Sequence, residues 1–293
     1  MARLSQITAQ LTQLQQERLG KHALTVDLAT LKSQIEDFLA IEDGNREGFQ
    51  DINRQRDLSV RYHWGHDHDF GDFALRGVMR DRHIRLLAHF IHHFGLPLDL
   101  TGKRVLDVGV WTGGTSLLMA AMGAEVVAME EVVMYAETVN LLATAFGLEE
   151  QLQCRQMSLY SLDDSDSYDY IHYAGVIYHV TDPVLSLRLL FNALKDGGKL
   201  FVETFGMQTA EKSPMARIES TPMWQEGMDG ARSRGGWNHF VPNPQGLTSW
   251  METAGFTGVH CSNLTKDSRI LASGVREQHL DMLRAGLSRP NVR

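Results

Sequence analysis

Segments typical of strands and of helices alternate along the chain from Lys103 onward. The strand-like segments are short and apolar, and the first three read RVLDVGV, AEVVAME and LQCRQMS. Segments of helical periodicity separate them, SLLMAAMG and MYAETVNLLATAFG, and each ends at a glycine. Short strands that alternate with helices imply right-handed crossovers and a mostly parallel sheet covered on both faces. The sequence therefore predicts an α/β fold with a doubly wound, mostly parallel sheet.

The alternation continues towards the C-terminus. The strands YDYIHYAG and KLFVETFG flank the predicted helix DPVLSLRLLFNALKDGG, which has Pro183 in its first turn and Gly197 at its end. A polar insert covers residues 207–240. The segment WNHFVP follows without an assigned element, and a helix at PQGLTSWMETAGF and strands at TGVHCSN and SRILASG complete the predicted elements.

Residues 1–42 form a separate helical extension. Apolar residues recur there in steps of three and four, at Leu4, Ile7, Leu11 and Leu14 and again, after Gly20, at Leu24, Leu28, Leu31, Ile35 and Phe38. Each seam covers only two heptads, which favours helices that pack on another surface over a free coiled coil. That surface is either the rest of the chain or a second subunit, so oligomerisation is one of two open alternatives.

Residues 43–79 are rich in Gly, Asp, His and Arg and lack periodicity, which predicts irregular structure. A helix follows and ends at Gly95 and Pro97. Its apolar face consists of Ile84, Leu87, Ala88 and Ile91.

Composition narrows the class of protein. Hydrophobic residues make up 43% of the chain and charged residues 22%, as in globular proteins with a core. No run reaches the roughly 18 apolar residues of a membrane span, and the N-terminus lacks a secretory pattern. Cys154 and Cys261 lie far apart and match no disulfide or zinc pattern, so we expect a reducing cytoplasm. The net charge of -8 argues against strong non-specific binding to nucleic acids but leaves room for a local basic patch.

The stretch VLDVGVWTGGT joins the first predicted strand to a helix through a glycine turn. Turns that bind dinucleotides place a second glycine where the pyrophosphate approaches the backbone, and here that position is Trp111. S-adenosylmethionine (SAM) has no phosphate, so Gly109 and Gly113 could supply the close turn that it needs. NAD or FAD is the weaker alternative, and a turn without any ligand is a third.

An acidic residue ends the second predicted strand. Glu130 lies about twenty residues beyond Gly109, where a carboxylate can accept hydrogen bonds from ribose hydroxyls. The neighbouring Glu131 leaves the assignment ambiguous by one residue. The turn and the acid together predict a nucleoside site.

The segment GVIYHVTDPVLSLRLL resembles the class I SAM-dependent methyltransferases, in particular the group that contains the tRNA wobble-uridine carboxymethyltransferase. The segments DLTGKRVLDVG, GKLFVETF and WNHFVPNPQGLTSWMETAGF are also similar to that group, and the resemblance covers roughly residues 60–275. It implies a Rossmann-like fold, SAM as cofactor and methyl transfer as activity. The domains are then the extension 1–42, a cofactor-covering segment 43–100 and a methyltransferase domain 101–293 with the insert 207–240.

The resemblance also implies site residues. Asp107, Gly109 and Gly113 match the SAM turn, Glu130 the ribose acid, and Ser158 and Leu159 the border of the adenine. Trp111 departs from the carboxymethyltransferase, which has glycine there, but other members of the wider group place an aromatic at this position.

Tyr178 and His179 match the Tyr-His pair that lies near the transferable methyl group in the family. Methyl transfer depends mainly on alignment, and a base is needed only when the acceptor must lose a proton. His179 is either that base or a structural histidine bonded to a loop carbonyl. Tyr178 is the stronger candidate for lining the methyl site.

The acceptor side has weaker signals. We place Arg269, Trp237 and Glu203 there. The insert also carries arginines beside tryptophans, which suit stacked bases but equally a solvated loop: Arg217, Arg232, Arg234, Trp224 and Trp237. The acceptor is therefore a small molecule or an RNA uridine, and a SAM-binding protein without turnover is the alternative of another class.

The resemblance raises the question of the donor, because the carboxymethyltransferase uses a carboxylated SAM. That enzyme supplies a lysine, a tyrosine and an arginine, of which Tyr178 and Arg269 match the last two. The lysine is missing, since the corresponding stretch DHDFGDF has Phe70 near that position with Asp67, Asp69 and Asp72 around it. We expect ordinary SAM, because these acids would repel a second carboxylate.

The stretch YHWGHDHDF contains His63, His66 and His68, but their spacing fits no metal signature and we expect no metal there. In the family this region folds over the cofactor. Residues 45–80 and 207–240 are therefore predicted to form a lid.

Overall fold

A computed structural model describes residues 2–39, 64–218 and 240–277. The chain divides into two compact units, Met1–Met157 and Ser158–Arg293. The domain boundaries predicted from the sequence stay a prediction, and the two units are described in turn.

The first unit contains five helices and five strands in its described residues. In chain order they are α1 (Ala2–Arg18), α2 (Leu28–Leu39), β1 (His68–Asp69), β2 (Ala74–Leu75), α3 (Arg82–Phe94), β3 (Arg104–Val108), α4 (Gly114–Ala121), β4 (Glu125–Glu130), α5 (Val133–Ala145) and β5 (Leu152–Gln156).

Strands β3, β4 and β5 pair in parallel in that order. Val105 of β3 pairs with Val126 of β4, which pairs in turn with Leu152 of β5. All three of these side chains are buried, as expected of parallel strands covered on both faces. The parallel register brings the ends of β3 and β4 together, because Val108 pairs with Met129 next to Glu130.

The N-terminal helices pack within their own chain. Ile7 and Leu11 of α1 are buried, and α1 contacts α3 and α4. Leu31 and Ile35 of α2 are buried, and α2 contacts α5. These four apolar residues of the two seams therefore pack on the body of the chain, and a role in oligomerisation stays a prediction.

Residues 64–81 are mostly irregular, as predicted, although the two-residue strands β1 and β2 pair antiparallel within them. Phe70 is fully buried in an aromatic stack with His68, Phe73 and Phe146. The part of the predicted irregular segment before Trp64 lies outside the described residues.

Two histidines of this unit are buried in uncharged form. Burial lowers the pKa of His68 to about 4 and the pKa of His83 to about 3. The His83 Nε2 atom lies 2.7 Å from Gln15 Oε1 of α1, and Trp64 Nε1 donates to His68 Nδ1 at 3.2 Å. Both imidazoles therefore stay neutral in the folded chain at pH values where an unfolded chain would protonate them.

Acidification should therefore destabilise the fold well above the pH at which carboxylates titrate. Below the ordinary histidine pKa of 6.5 the unfolded chain binds protons that the folded chain does not, so stability falls as pH falls. Between pH 6 and pH 5 we expect a loss of about 1 kcal/mol for each of the two histidines. Urea unfolding at these two pH values measures it, and His83→Gln should show a shallower dependence. An equal dependence in both proteins would contradict the assignment.

The second unit contains two helices and six strands in its described residues. In chain order they are β6 (Tyr168–Ala174), α6 (Pro183–Ala193), β7 (Leu194–Phe205), β8 (Ala216–Ile218), β9 (Phe240–Pro242), α7 (Pro244–Thr253), β10 (Thr257–Cys261) and β11 (Arg269–Val275).

Four of these strands form a sheet in the order β10-β11-β7-β6. Strand β6 is parallel to β7, whereas β11 runs antiparallel to both β7 and β10. The parallel strands with helical crossovers in both units confirm the predicted Rossmann-like, mostly parallel α/β class.

Two boundaries in this unit differ from the sequence prediction. Helix α6 begins at Pro183 as predicted but ends at Ala193, because Leu194 is already extended and starts β7. Gly197, the predicted helix end, instead turns the chain with φ 74° and donates its N–H to the Arg276 carbonyl. The insert also contains a strand that its polar composition did not reveal, since β8 pairs antiparallel with β9.

Among the residues that the structure describes, none of the helices combines the length and the apolar character needed to cross a lipid bilayer.

Candidate functional site

The glycine turn follows β3 and leads into α4. Gly109 and Gly113 both have φ 72°, a left-handed conformation that glycine adopts without strain. Trp111 is also left-handed, with φ 54°, which is uncommon for a bulky side chain and has to be stabilised by its surroundings. The turn therefore has the shape predicted from its glycines, with a strained indole-bearing residue between them.

Glu130 stabilises that conformation from the end of β4. The backbone N–H of Trp111 donates to Glu130 Oε2 at 2.9 Å, and the N–H of Val132 donates to Oε1 at 3.1 Å. Glu130 is only 8% exposed, so these are charge-assisted bonds in a largely dry environment. Because a carboxylate oxygen can accept more than one hydrogen bond, Glu130 can still receive donors from a ligand.

Asp107, near the end of β3, also stabilises this turn. It is 2% exposed and accepts a hydrogen bond of 2.6 Å from the Ser116 hydroxyl of α4. This bond joins the end of β3 to the helix that follows the turn. The contact gives Asp107 a structural task beside the cofactor role that the resemblance implies.

The Trp111 indole packs between α5 and the segment that precedes β1. Its ring makes edge contacts with Tyr135 at 6.2 Å and with His66 at 6.3 Å, measured between ring centroids. A Cβ atom on Gly65 would lie 2.6 Å from the indole, so only glycine fits at position 65 without a shift. The predicted covering segment thus lies directly on the turn in its described part.

Polar contacts fix the covering segment in place. The Thr112 hydroxyl accepts the backbone N–H groups of Gly65 and His66, each at 3.1 Å. The Gly114 N–H, at the start of α4, donates to His66 Nδ1 at 3.2 Å. Neither Gly65 nor Thr112 was identified from the sequence, because nothing local marks a contact between residues 46 to 48 positions apart.

Two of the three aspartates near Phe70 are paired with cations. Asp67 forms an ion pair of 3.0 Å with Arg76, and Asp72 forms one of 2.5 Å with Lys21. Asp69 accepts a backbone N–H two residues further along, at 2.8 Å. Asp67 and Asp72 therefore each have a neutralising partner, whereas a backbone N–H leaves the charge of Asp69 in place. The expected repulsion of a second carboxylate stays a prediction that rests mainly on Asp69, beside the missing lysine.

Phe70 lies in the core of the first unit. The sequence placed it near a donor-binding lysine position, but it is fully buried in the aromatic stack of the first unit. It acts as a core residue there.

In the second unit, three predicted site residues contact one another. Arg269 Nη1 donates to the Tyr178 hydroxyl at 3.2 Å, and its Nε lies 3.4 Å from Glu203 Oε1. The guanidinium also lies over the Tyr178 ring at 5.4 Å from its centroid. Burial opposes the charged form of Arg269, but Tyr178 and Glu203 outweigh it and raise its pKa above the ordinary value. Arg269 thus joins Tyr178 and Glu203 in one connected group.

His179 follows Tyr178 in the 3₁₀ turn Ile177–His179, and the two rings lie 4.1 Å apart. The His179 N–H donates to the Val176 carbonyl at 2.8 Å and closes the turn. These backbone and ring contacts do not decide whether the His179 side chain acts as a base or is a structural histidine.

Ser158 and Leu159 form the start of another short turn in this unit. The Ser158 hydroxyl accepts the Tyr160 N–H at 3.4 Å, and Leu159 is 8% exposed. Their predicted place beside the adenine stays a prediction.

Much of the predicted acceptor patch cannot be placed. Trp237, Trp224, Arg232 and Arg234 lie outside the described residues, as does His63. Arg217 is an exposed residue of β8. Within the described ranges, no group of three or more His, Cys, Asp or Glu side chains is arranged to hold a metal ion.

Comparison with known proteins identifies a family. The family described as "methyltransferase domain" matches residues 79–261. A ubiquinone biosynthesis O-methyltransferase of Xanthomonas oryzae is 37% identical over 117 residues, which is 39% of this chain and 47% of that protein. A tRNA U34 carboxymethyltransferase of Desulfotalea psychrophila is 30% identical over 197 residues, 64% of this chain and 56% of that protein. The chain thus spans about half the length of these curated relatives.

Solved structures show the same fold. Phosphoethanolamine N-methyltransferase 2 of Haemonchus contortus, in complex with S-adenosyl-L-methionine, superposes with a TM-score of 0.50 at 17% identity. The alignment covers 69% of this chain and 53% of that protein. At this identity the likeness concerns the fold alone.

Proposed function

This chain belongs to the methyltransferase-domain family, and we propose that it transfers the methyl group of S-adenosylmethionine to an acceptor molecule. The observation that carries the proposal is the hydrogen bond between the Trp111 N–H and the Glu130 carboxylate, which fixes the glycine turn beside an acid. A close turn beside a carboxylate suits a nucleoside, because the carboxylate can accept ribose hydroxyls.

The glycine turn and the residues around it would hold the cofactor. Gly109 and Gly113 allow close approach to the backbone of the turn, and Glu130 would accept hydrogen bonds from the ribose. Asp107, through its bond to Ser116, and Trp111, through its contact with Tyr135, would stabilise the conformation of the turn. When bound, the cofactor supplies an activated methyl group on a sulfonium centre.

The remaining predicted site residues would serve the acceptor and the adenine. Tyr178 is held by Arg269, so its hydroxyl is pre-oriented, and Glu203 in turn orients the guanidinium. We assign His179 to proton removal where the acceptor requires it, and Ser158 and Leu159 to the adenine border. Trp237 keeps its proposed place on the acceptor side.

The acceptor is proposed as a small molecule, which the net charge of -8 favours. The alternative acceptor is an RNA uridine, supported by the 30% identity to a tRNA U34 carboxymethyltransferase. We propose ordinary SAM as the donor in either case, since the sequence lacks the lysine that a carboxylated donor would require.

Transfer of a labelled methyl group tests the proposal. The purified chain would be incubated with SAM carrying a tritiated methyl group and with a cell extract split into small molecules, RNA and protein. We expect label in the small-molecule fraction, whereas label in RNA would establish the alternative acceptor. If SAM binds but no fraction is labelled, the chain is a binding protein without turnover and the proposed activity is wrong.

Two further expectations belong to this proposal. A cytoplasmic location fits a methyltransferase acting on metabolites or RNA. Self-association through residues 1–42 would have to use the exposed faces of α1 and α2, because their buried residues already pack within the chain.

A further inference from the structure

The start of α4 is the position where dinucleotide-binding folds hold a pyrophosphate. The free N–H groups of a helix N-terminus and the helix dipole attract anions there. In this chain the Gly114 N–H, the first of α4, donates to His66 Nδ1 at 3.2 Å. A side chain of the covering segment therefore uses the donor that a phosphate would need.

The His66 ring also fills the space in front of the helix. A Cβ atom on Gly114 would lie 2.6 Å from His66 Cγ and 3.0 Å from His66 Nδ1. The imidazole is thus packed against the backbone of Gly114, with no room for a phosphate between them. The block is both steric and electronic, because the ring occupies the space and its lone pair takes the hydrogen bond.

Several contacts hold His66 in that position. Its own N–H and that of Gly65 donate to the Thr112 hydroxyl at 3.1 Å each. Its ring makes an edge contact with His83 at 4.9 Å and with Trp111 at 6.3 Å, between centroids. Because both backbone and ring are fixed, His66 is part of the turn's architecture.

We propose that His66 determines donor specificity by excluding phosphate-bearing nucleotides from the glycine turn. A nucleoside donor without phosphate leaves the Gly114–His66 hydrogen bond intact, whereas a dinucleotide has to break it and displace the ring. Trp111 also disfavours a pyrophosphate, because it stands at the position where a dinucleotide site has its second glycine. This inference rests on the proposed function, since it assumes that the turn is the cofactor site.

The test is a gain of binding. Inorganic pyrophosphate and ADP would be titrated calorimetrically into wild type, His66→Ala and His66→Phe. Alanine frees both the donor and the space, so we expect pyrophosphate to bind His66→Ala at least about tenfold more tightly than wild type. Phenylalanine frees the donor but fills the space, so it should resemble wild type and serves as the matched control. Equal affinity in His66→Ala and wild type would overturn the proposal.

A second measurement follows the N–H group of Gly114 directly. The amide resonance of Gly114 would be followed by ¹⁵N NMR in the wild-type chain while inorganic pyrophosphate is added. We expect no change in wild type and a shift in His66→Ala. A shift of the Gly114 amide in wild type would contradict the proposal even if the variants fail to fold. SAM binding to wild type is measured separately, so failure of the proposed function and failure of this inference give different results.

Discussion

Replacing Glu130 with alanine should weaken SAM binding by about 3 kcal/mol, or roughly a hundredfold. The substitution removes a charged acceptor from the ribose hydroxyls and also the acceptor of the Trp111 N–H at 2.9 Å. The left-handed backbone of Trp111 is strained, so the turn should change conformation once that bond is lost. Both effects act on the same ligand, which makes the expected loss larger than that of one hydrogen bond. Calorimetric titration of SAM into wild type and variant measures it.

Two controls separate the causes. Glu130→Gln keeps one carbonyl acceptor and should lose less affinity than alanine. Glu131→Ala removes the adjacent acid, which the sequence alone could not exclude as the ribose ligand. This variant should bind SAM nearly as wild type does. If Glu131→Ala loses more affinity than Glu130→Ala, the ribose acid is Glu131 and the assignment is wrong.

Replacing Arg269 with methionine should lower the free energy of unfolding by about 3–5 kcal/mol. Glu203 is 1% exposed and Arg269 20% exposed, so removing the guanidinium takes away the cation next to a buried carboxylate. The variant also loses the donor to the Tyr178 hydroxyl at 3.2 Å. Urea unfolding followed by circular dichroism measures the difference.

A more solvent-accessible pair in the same unit provides the matched control. Lys195 and Asp169 form an ion pair of 2.8 Å with side chains 43% and 21% exposed. Lys195→Met should cost less than about 1 kcal/mol, since solvent screens that pair. The double variant Arg269→Met, Glu203→Leu should recover much of the loss, because no buried charge remains at this position. Equal losses for Arg269→Met and Lys195→Met would show that the buried pair contributes no more to the free energy of unfolding than the Lys195–Asp169 pair.

The sequence predicts those parts of the site whose causes are local. Gly109, Gly113 and Glu130 could be identified because a left-handed turn needs glycine and because a strand end places an acid beside it. Most element boundaries follow in the same way from periodicity and from capping residues, such as Gly95 after α3. The end of α6 was misplaced because Leu194 joins β7 through tertiary pairing with β6, which local propensity does not encode.

The remaining parts of the site depend on contacts between distant residues. Gly65 appears as one glycine among many in a polar segment, yet the Trp111 indole lies against it. The aspartates around Phe70 appeared to be free charges, since nothing in the sequence shows that Lys21 reaches Asp72. His66 was one of three histidines whose spacing fits no metal signature, and nothing in the sequence shows that its Nδ1 accepts the Gly114 N–H.

The mass of the small molecule that co-purifies with the chain tests the central claim most directly. The protein would be purified without added ligand, and mass spectrometry would be recorded under native conditions and again after denaturation. We expect that denaturation releases SAM or its demethylated product S-adenosylhomocysteine, and that Glu130→Ala releases much less of it. Release of NAD or FAD instead would contradict the assignment of the glycine turn to a nucleoside without phosphate.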